Sequence, residues 1–524
     1  MSRHATQAEF MNRGRRISCQ GEDCREMAIY SDEERSGPQS NQARLSEAAK
    51  PGWLRGLLIV LVVAAAVRAP CFLISCQDPS RQIDEDSPSY LRLGYEVADG
   101  HGFGRPVALK PGEPEQWLPE LFRTPGYPAI IAAAQLLTGR AVLSVIALQN
   151  ILGVAMCGGL YLVGCRHFGP GTGLVLGLLA ATDLQAVALS NKLLTDFPFE
   201  FIVFAALALA GRLPDKPSLP LAAAAACLIG LAAWVRPTGI ALPIVFGVCL
   251  LAAGLWRRNG RLAATALIVA VLGSGIVGAW IVRNGLVRGD YVLTSVARYN
   301  HVAYFGAHTL QHAEGISHQA ARARLCDEIG LTEHEILYRP MSRQEKRRLG
   351  STVHRVIAQH PGTFLWISAK DSANLYFGPD KSILSALGLP HISFGIVRQS
   401  SNTSSPWISW LLLGWETFWL FVVYAMVLRT LFQRLRRRRV PAVVWMGLLV
   451  ALYILLVSSG PIGDPRMRGA AIPALLLVAA ASLGSRTPGR DGQLCSIADS
   501  QDAQANAGAH SRPEPAADGT GSSL

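Results

Sequence analysis

The chain of 524 residues carries 49 Lys and Arg against 37 Asp and Glu, a net charge of +12, yet it is only 16% charged and 50% hydrophobic. Ordinary soluble domains are about 25% charged, which argues against a water-soluble globule. The basic surplus is collected between long uncharged runs, not along amphipathic faces; this disfavours a nucleic-acid binder or a membrane-surface enzyme and points to a polytopic inner membrane protein.

Residues 1–50 mix both charge signs with Ser, Gln and Asn and show no apolar period, so a disordered cytoplasmic tail is expected. Glu22, Asp23, Glu33 and Glu34 make it too acidic for the start of a signal peptide, and the apolar run that follows is read as an uncleaved anchor. Further runs lie near 141–165, 170–189, 197–211, 219–235, 238–256, 262–282, 407–428, 440–458 and 469–484, after the first at 54–74. Most approach the roughly 20 residues that cross a bilayer as helix. The expectation is an all-α membrane domain over 51–484 with about ten transmembrane helices, and a short re-entrant or interfacial helix over Tyr127 to Thr138. Residues 485–524, rich in Ala, Gly, Ser, Pro and Asp, read as a second disordered tail.

Arg166, Arg212 with Lys216, Arg257 with Arg258 and Arg261, and Arg429, Arg434 and Arg436 to Arg439 fall on alternate connections, the side of both tails. The positive-inside rule puts that side in the cytoplasm. Two large loops then face the periplasm or another exoplasmic space: 75–126, with nine acids against five bases, and 285–405.

The ten cysteines, at 19, 24, 71, 76, 157, 165, 227, 249, 326 and 495, show no repeated CxxC spacing. Zinc and a disulfide framework are both weak readings, although Cys71, Cys76 and Cys326 could meet in an oxidising compartment. No internal repeat of 20 to 50 residues is visible, which counts against an inverted-repeat transporter.

The first loop holds Asp84, Glu85 and Asp86 in IDEDSPSYLRLGYEVADGHGFG. A carboxylate this near the membrane is placed to act as a base on a lipid head group, and a solvated acidic loop is the plain alternative. Asp86 and Tyr90 share a face of any helix that starts near Ser87. The loop ends LFRTPGYPAII, where two prolines make a stiff turn and Arg123 is either part of it or a phosphate contact. In LSNKLLTDFPFEF, Asp196 stands at a span's end, as a helix cap or as a second working carboxylate.

Arginines recur at the same side: Arg236 in AWVRPTGI, Arg283 beside Asn284 in AWIVRNGL, and Arg466 with Arg468 in GDPRMRGAAIP. Each alone reads as a snorkelling side chain; together with two acids they look like a phosphate-handling cleft, since the planar guanidinium binds phosphate bidentately. His301, His308, His312 and His318 lie in the long loop, 308 and 312 at helical ligand spacing, but no HExxH motif accompanies them. The segment STVHRVIAQHPGTFLWISAKDSANLYFG is expected to form two helices on the membrane surface, broken at Pro361.

In order and sidedness these motifs resemble the GT-C superfamily of polyprenyl-phosphate-dependent membrane glycosyltransferases, in the branch that includes aminoarabinose transferases and protein mannosyltransferases. The resemblance rests on Asp86 with Tyr90 and the Gly-rich stretch to Gly104, RTPGYP, LLTD, RPTG, RN, the HP helix pair and RMRGAAIP, from about residue 54 to 484. It implies a sugar delivered on a lipid-linked phosphate to a lipid, glycan or protein acceptor at the exoplasmic face, with inversion. By the same resemblance Asp86 is the base and Asp196 positions acceptor or base. Tyr90, Arg123, Arg236, Arg283, Asn284, Arg466 and Arg468 then serve substrate and phosphate. The family often has Asp-Glu at the first-loop position, where this chain has Asp86 followed by Ser87, so Asp84, Glu85 and Asp86 all stay open as the base. No cofactor follows, and a divalent cation stays open.

Two rivals come from other classes: a transporter or lipid-glycan flippase, and a glycan polymerase or ligase. A transporter's acids belong at mid-membrane depth, whereas Asp86 and Asp196 fall at or beyond span ends.

Overall fold

The structure, a computed structural model, describes residues 52–389, 407–435 and 441–484. Both tails, Arg436 to Arg439 and the end of the long loop lie outside the described residues. The chain divides into two units, Met1–Arg55 and Gly56–Leu524; the second holds the fold.

It is an all-α polytopic membrane protein. Helix α1 (Gly52–Gln77) is followed by a 3-10 turn (Pro79–Gln82) and α2 (Ser87–Ala98). A two-stranded antiparallel hairpin, β1 (Gly104–Val107) with β2 (Gln116–Pro119), leads to α3 (Gly126–Thr138). The helices α4 (Ala141–Phe168), α5 (Pro170–Ala181), α6 (Leu184–Ser190), α7 (Asp196–Ala210), α8 (Leu219–Val235), α9 (Leu242–Trp256) and α10 (Gly260–Arg288) complete the first part of the bundle.

Their ends follow local chemistry. Asp183, Ser218 and Asn259 accept backbone N–H bonds at the starts of α6, α8 and α10, satisfying donors that a helix leaves open. Helices α4 and α5 touch where Gly164 faces Gly173: a Cβ on Gly164 would lie 2.7 Å from the Gly173 Cα, so small residues set the approach of the two backbones.

Among the described residues five helices are long and apolar enough to cross a membrane: Trp53–Gln77, Ala141–Phe168, Pro237–Trp256, Gly260–Arg288 and Trp407–Gln433. The α5–α6 pair, bent by 54°, makes a sixth if it counts as one broken span. Ten spans are not reproduced as a count. The runs at 197–211 and 469–484 form α7, 15 residues, and a 3-10 turn (Pro465–Ala471) continued as α20 (Ile472–Ala480). Every residue of α20 is buried; a segment packed inside the bundle is as apolar as one facing lipid, and hydropathy does not separate the two. Spans such as α1 and α10 instead leave Leu58, Val62, Leu267 and Val271 exposed, as lipid-facing helices do.

The long loop folds into its own helical layer: α11 (Val296–Asn300), a π-helical turn (His301–Ala307), α12 (His308–Glu314), α13 (His318–Ile329), α14 (Glu333–Tyr338), α15 (Arg343–Gln359), α16 (Pro361–Phe377) and α17 (Ser382–Ala386). Its core joins Val302, Leu310, Leu325, Ile336 and Val353. The expected break at Pro361 separates α15 from α16, because proline fits the first turn of a helix and not its interior. Helices α18 (Trp407–Leu435) and α19 (Ala442–Val457) then precede the closing 3-10 turn and α20. Cys71, Cys76 and Cys326 are free thiols, as are Cys157, Cys165, Cys227 and Cys249.

Candidate active site

Helix α2 starts at Ser87, with Asp86 as its preceding residue, so Asp86 and Tyr90 sit one turn apart as the i,i+4 spacing requires. The end of the first loop turns onto them. Buried Glu120 accepts the backbone N–H groups of Phe122 and Arg123, the latter at 3.1 Å, and pairs with Arg105 at 2.6 Å. That turn aims Arg123 at α2.

Every arm of Arg123 is occupied. Its Nη2 donates to Asp86 Oδ1 at 2.7 Å, Nη1 to the Tyr90 hydroxyl at 3.0 Å and Nε to Ser89 Oγ at 3.0 Å. The guanidinium also lies 4.5 Å from the Tyr90 ring centroid and 4.2 Å from that of Phe122, within cation–π range of both. Arg466 approaches Asp86 from the opposite end of the sequence, its Nη2 3.4 Å from Oδ2. Burial opposes the charge on Asp86, but Arg123 and then Arg466 and Arg236 outweigh it and hold the carboxyl below its usual range.

Asp196 opens α7, with Thr195 as the cap position. Its carboxylate forms an ion pair with Arg236 at 2.5 Å, and both are largely buried. Arg236 ends α8, where Pro237 stops the helix. Asp196, Arg236, Thr238, Ser458, Arg466 and Met467 line one small cleft, so Arg466 joins the two acid–arginine pairs. Desolvation weakens its proton, yet Asp196, Asp464 and Asp86 more than compensate and raise its pKa. Its Nε is buried and makes no hydrogen bond.

The three first-loop acids separate by environment. Asp84 pairs with buried Lys192 at 3.3 Å, Glu85 is exposed, and Asp86 faces the arginines. Ser89, Glu120 and Lys192 were not singled out in the sequence. Lys192 lies in the same LSNKLLTD stretch as Asp196, and a lysine four residues before an acid at a span end is the signal that was there to use.

Three expected site residues make their contacts elsewhere. Arg283 donates to the Glu120 carbonyl at 3.2 Å and to Asn284 Oδ1 at 3.0 Å, and packs over Trp280 with its guanidinium 4.8 Å from the ring centroid. Asn284, fully buried, donates to the carbonyls of Val292 and Leu293. Arg468 is 1% exposed and pairs with Glu416 at 3.3 Å. These side chains hold chain segments together at the positions where the sequence suggested phosphate contacts.

The histidines of the long loop gather loosely. The rings of His308 and His312 are 4.6 Å apart between centroids, and His308 Nδ1 is 3.7 Å from Asp371 Oδ2. Burial first, then His312 and His318, push the His308 pKa down to about 4. Among the described residues no group of three or more His, Cys, Asp or Glu is arranged to hold a metal ion.

Residues 122–280 match the family model described as dolichyl-phosphate-mannose-protein mannosyltransferase. The matched segment contains RTPGYP, LLTD and RPTG, and stops short of Asp86 and Arg466. Comparison with curated proteins found no match. Similar solved structures include the Archaeoglobus fulgidus oligosaccharyltransferase in the apo form, 13% identical over 89% of this chain and 53% of that one, with a TM-score of 0.47. ArnT from Cupriavidus metallidurans bound to undecaprenyl phosphate is 14% identical over 87% of this chain and 80% of that one, TM-score 0.35. The arabinosyltransferase EmbB from Mycobacterium smegmatis is 14% identical over 84% and 42%, TM-score 0.32. The chain thus spans about half the length of the archaeal oligosaccharyltransferase. Over residues 122–280 the similarity is to a protein mannosyltransferase family, one of those in the branch that the motifs resemble.

Proposed function

We propose that the chain is an integral membrane glycosyltransferase that moves a sugar from a polyprenyl-phosphate donor to a lipid, glycan or protein acceptor. The reaction takes place at the exoplasmic or periplasmic face of the inner membrane and inverts the anomeric carbon. The observation that carries this reading is Arg466, which meets Asp86 through Nη2 and lines one cleft with the Asp196–Arg236 pair.

An acceptor hydroxyl attacks the anomeric carbon from the face opposite the phosphate. The carbon–oxygen bond to phosphate breaks, the phosphate leaves with the electron pair, and the hydroxyl proton passes to Asp86. Negative charge builds on the departing phosphate, and preset cations stabilise it. Arg466 and Arg236 suit that role, because their partners are carboxylates that the donor's phosphodiester can replace, and the second negative charge develops on it as the bond breaks. Arg123, each of whose three nitrogens bonds a group of α2 or Asp86, instead orients Asp86. A phosphate that draws Arg466 away from Asp86 also removes one of the charges that depress its pKa, so donor binding makes Asp86 a better proton acceptor.

The placement of arginines on alternate connections supports a cytoplasmic side shared by both tails, with the cleft opposite. The acids at helix starts, Asp86 before α2 and Asp196 opening α7, favour an enzyme over a transporter, whose acids belong at mid-depth. The test is a transfer assay in membranes containing the chain, with radiolabelled polyprenyl-phosphate sugars as donors and lipid, glycan and protein fractions screened for label. Label in no fraction from any donor, with the protein present and folded, refutes the reading.

A further inference from the structure

We infer that Glu416 and Arg468 form a positioning pair that sets Arg466 against Asp86 by locking the Pro465–Ala471 turn onto the end of α16. The inference rests on the proposed function, because the residue it acts through is the phosphate ligand named there.

Glu416 is a carboxylate inside the apolar helix α18, 3% exposed, and Arg468 is 1% exposed. A buried ion pair contributes little to stability by itself, since desolvating both ions cancels much of their attraction. What this pair does have is geometry. Arg468 Nη1 donates to the carbonyls of Leu375 at 2.8 Å and Gly378 at 2.9 Å, the last turn of α16 and the residue that follows it. Glu416 Oε1 accepts from Arg468 Nη2 at 3.3 Å and from the Asp380 backbone N–H at 2.7 Å. One carboxylate oxygen thus joins α18, the segment after α16 and the turn that carries Arg466.

The same turn is gripped on its other side. Gln185 of α6 donates to the Pro465 carbonyl at 2.6 Å and to Asp380 Oδ2 at 3.1 Å. Before the turn, Gly460 N–H donates to Ser372 Oγ at 2.9 Å, and a Cβ on Gly463 would lie 2.4 Å from the Asp371 carbonyl oxygen, so this backbone lies directly on α16. The Asp464 side chain caps the Arg466 N–H at 2.9 Å. Arg466, 29% exposed on its side chain, is the one member of this turn's basic pair turned to the cleft. With Arg468 anchored two residues on, the direction of the Arg466 side chain is set by the anchor.

A double-mutant cycle separates positioning from general stability. Donor-concentration curves are measured in membranes, at matched protein levels, for Glu416→Gln, Arg466→Lys and the double variant. Glu416→Gln is expected to lower kcat/KM for the donor on the order of 10-fold, as displacement of a positioned group does, with the acceptor KM unchanged. In the Arg466→Lys background it should add almost nothing. Glu416→Asp, which keeps the charge, should restore part of the loss, and it carries the same cycle if Glu416→Gln fails to accumulate. Losses that multiply in full, or that fall equally on donor and acceptor, overturn the inference alone. A wild-type chain that transfers no label overturns the proposed function, and this inference with it.

Discussion

Arg123 Nη2 donates to Asp86 Oδ1 at 2.7 Å from a guanidinium that also packs on the rings of Tyr90 and Phe122. Each of its three nitrogens already bonds a protein group. Its contact with the Asp86 carboxylate gives it a pH signature. Asp86 works ionised, so activity is present above its pKa and lost as pH falls through it. Arg123 and Arg466 outweigh the burial of Asp86 and hold that pKa below the usual carboxylate range. Arg123→Gln should therefore shift the acid limb of the kcat/KM profile to higher pH. An acid limb that stays in place in this variant would remove Arg123 from its role.

Asp86→Asn keeps the shape of the side chain and cannot take a proton. The expected loss of transfer is about 100 to 10,000-fold, the range for a lost general base, with the protein still folded. Asp84→Asn should cost far less, because Asp84 answers to Lys192 and not to the arginines of the cleft. Transfer assays on the two variants decide the register: near wild-type turnover in Asp86→Asn together with inactive Asp84→Asn would assign the base to Asp84.

Helical periodicity was enough to place Asp86 with Tyr90 and to break the α15–α16 pair at Pro361, since both depend on neighbours in sequence. Asp196 and Arg236 were legible as acids and bases at span ends, where charge needs a reason. The pairing of Asp86 with Arg123 and with Arg466 was not, because those partners come from segments far apart in the chain. Arg283, Arg466 and Arg468 look alike in sequence, each an arginine beside an apolar run. They differ in what they bond: Arg283 a loop carbonyl, Arg468 a buried glutamate, Arg466 the cleft. Glu416 was visible as a lone acid in GWETFW, and an acid inside an otherwise apolar span is itself a mark of a working position.

Sidedness is open to direct measurement. In a chain whose native cysteines are replaced, single cysteines at Ser40, Gln116, Gln319 and Gly492 should split in two groups under a membrane-impermeant thiol reagent. Gln116 and Gln319, both exposed, should label from outside, and Ser40 and Gly492 only after the membrane is opened. Labelling of position 319 from the cytoplasmic side alone would reverse the orientation and place the cleft on the wrong face for an exoplasmic transfer.

The arginines give the last test, because phosphate binding and structural support predict opposite results for the same conservative change. Lysine keeps the charge of arginine but loses the planar fork. At Arg466, which lines the cleft and has Asp86 as the partner a phosphate would replace, that loss should appear as a raised KM for the lipid-phosphate donor, with acceptor dependence little changed. At Arg283 the contacts are carbonyls, Asn284 and the Trp280 ring, so Arg283→Lys should leave the donor curve in place and lower thermal stability instead. Donor-concentration curves and melting curves on the two purified variants read both effects. A donor KM raised in Arg283→Lys and unchanged in Arg466→Lys would move the phosphate site from the cleft between α7 and the Pro465–Ala471 turn to the end of α10.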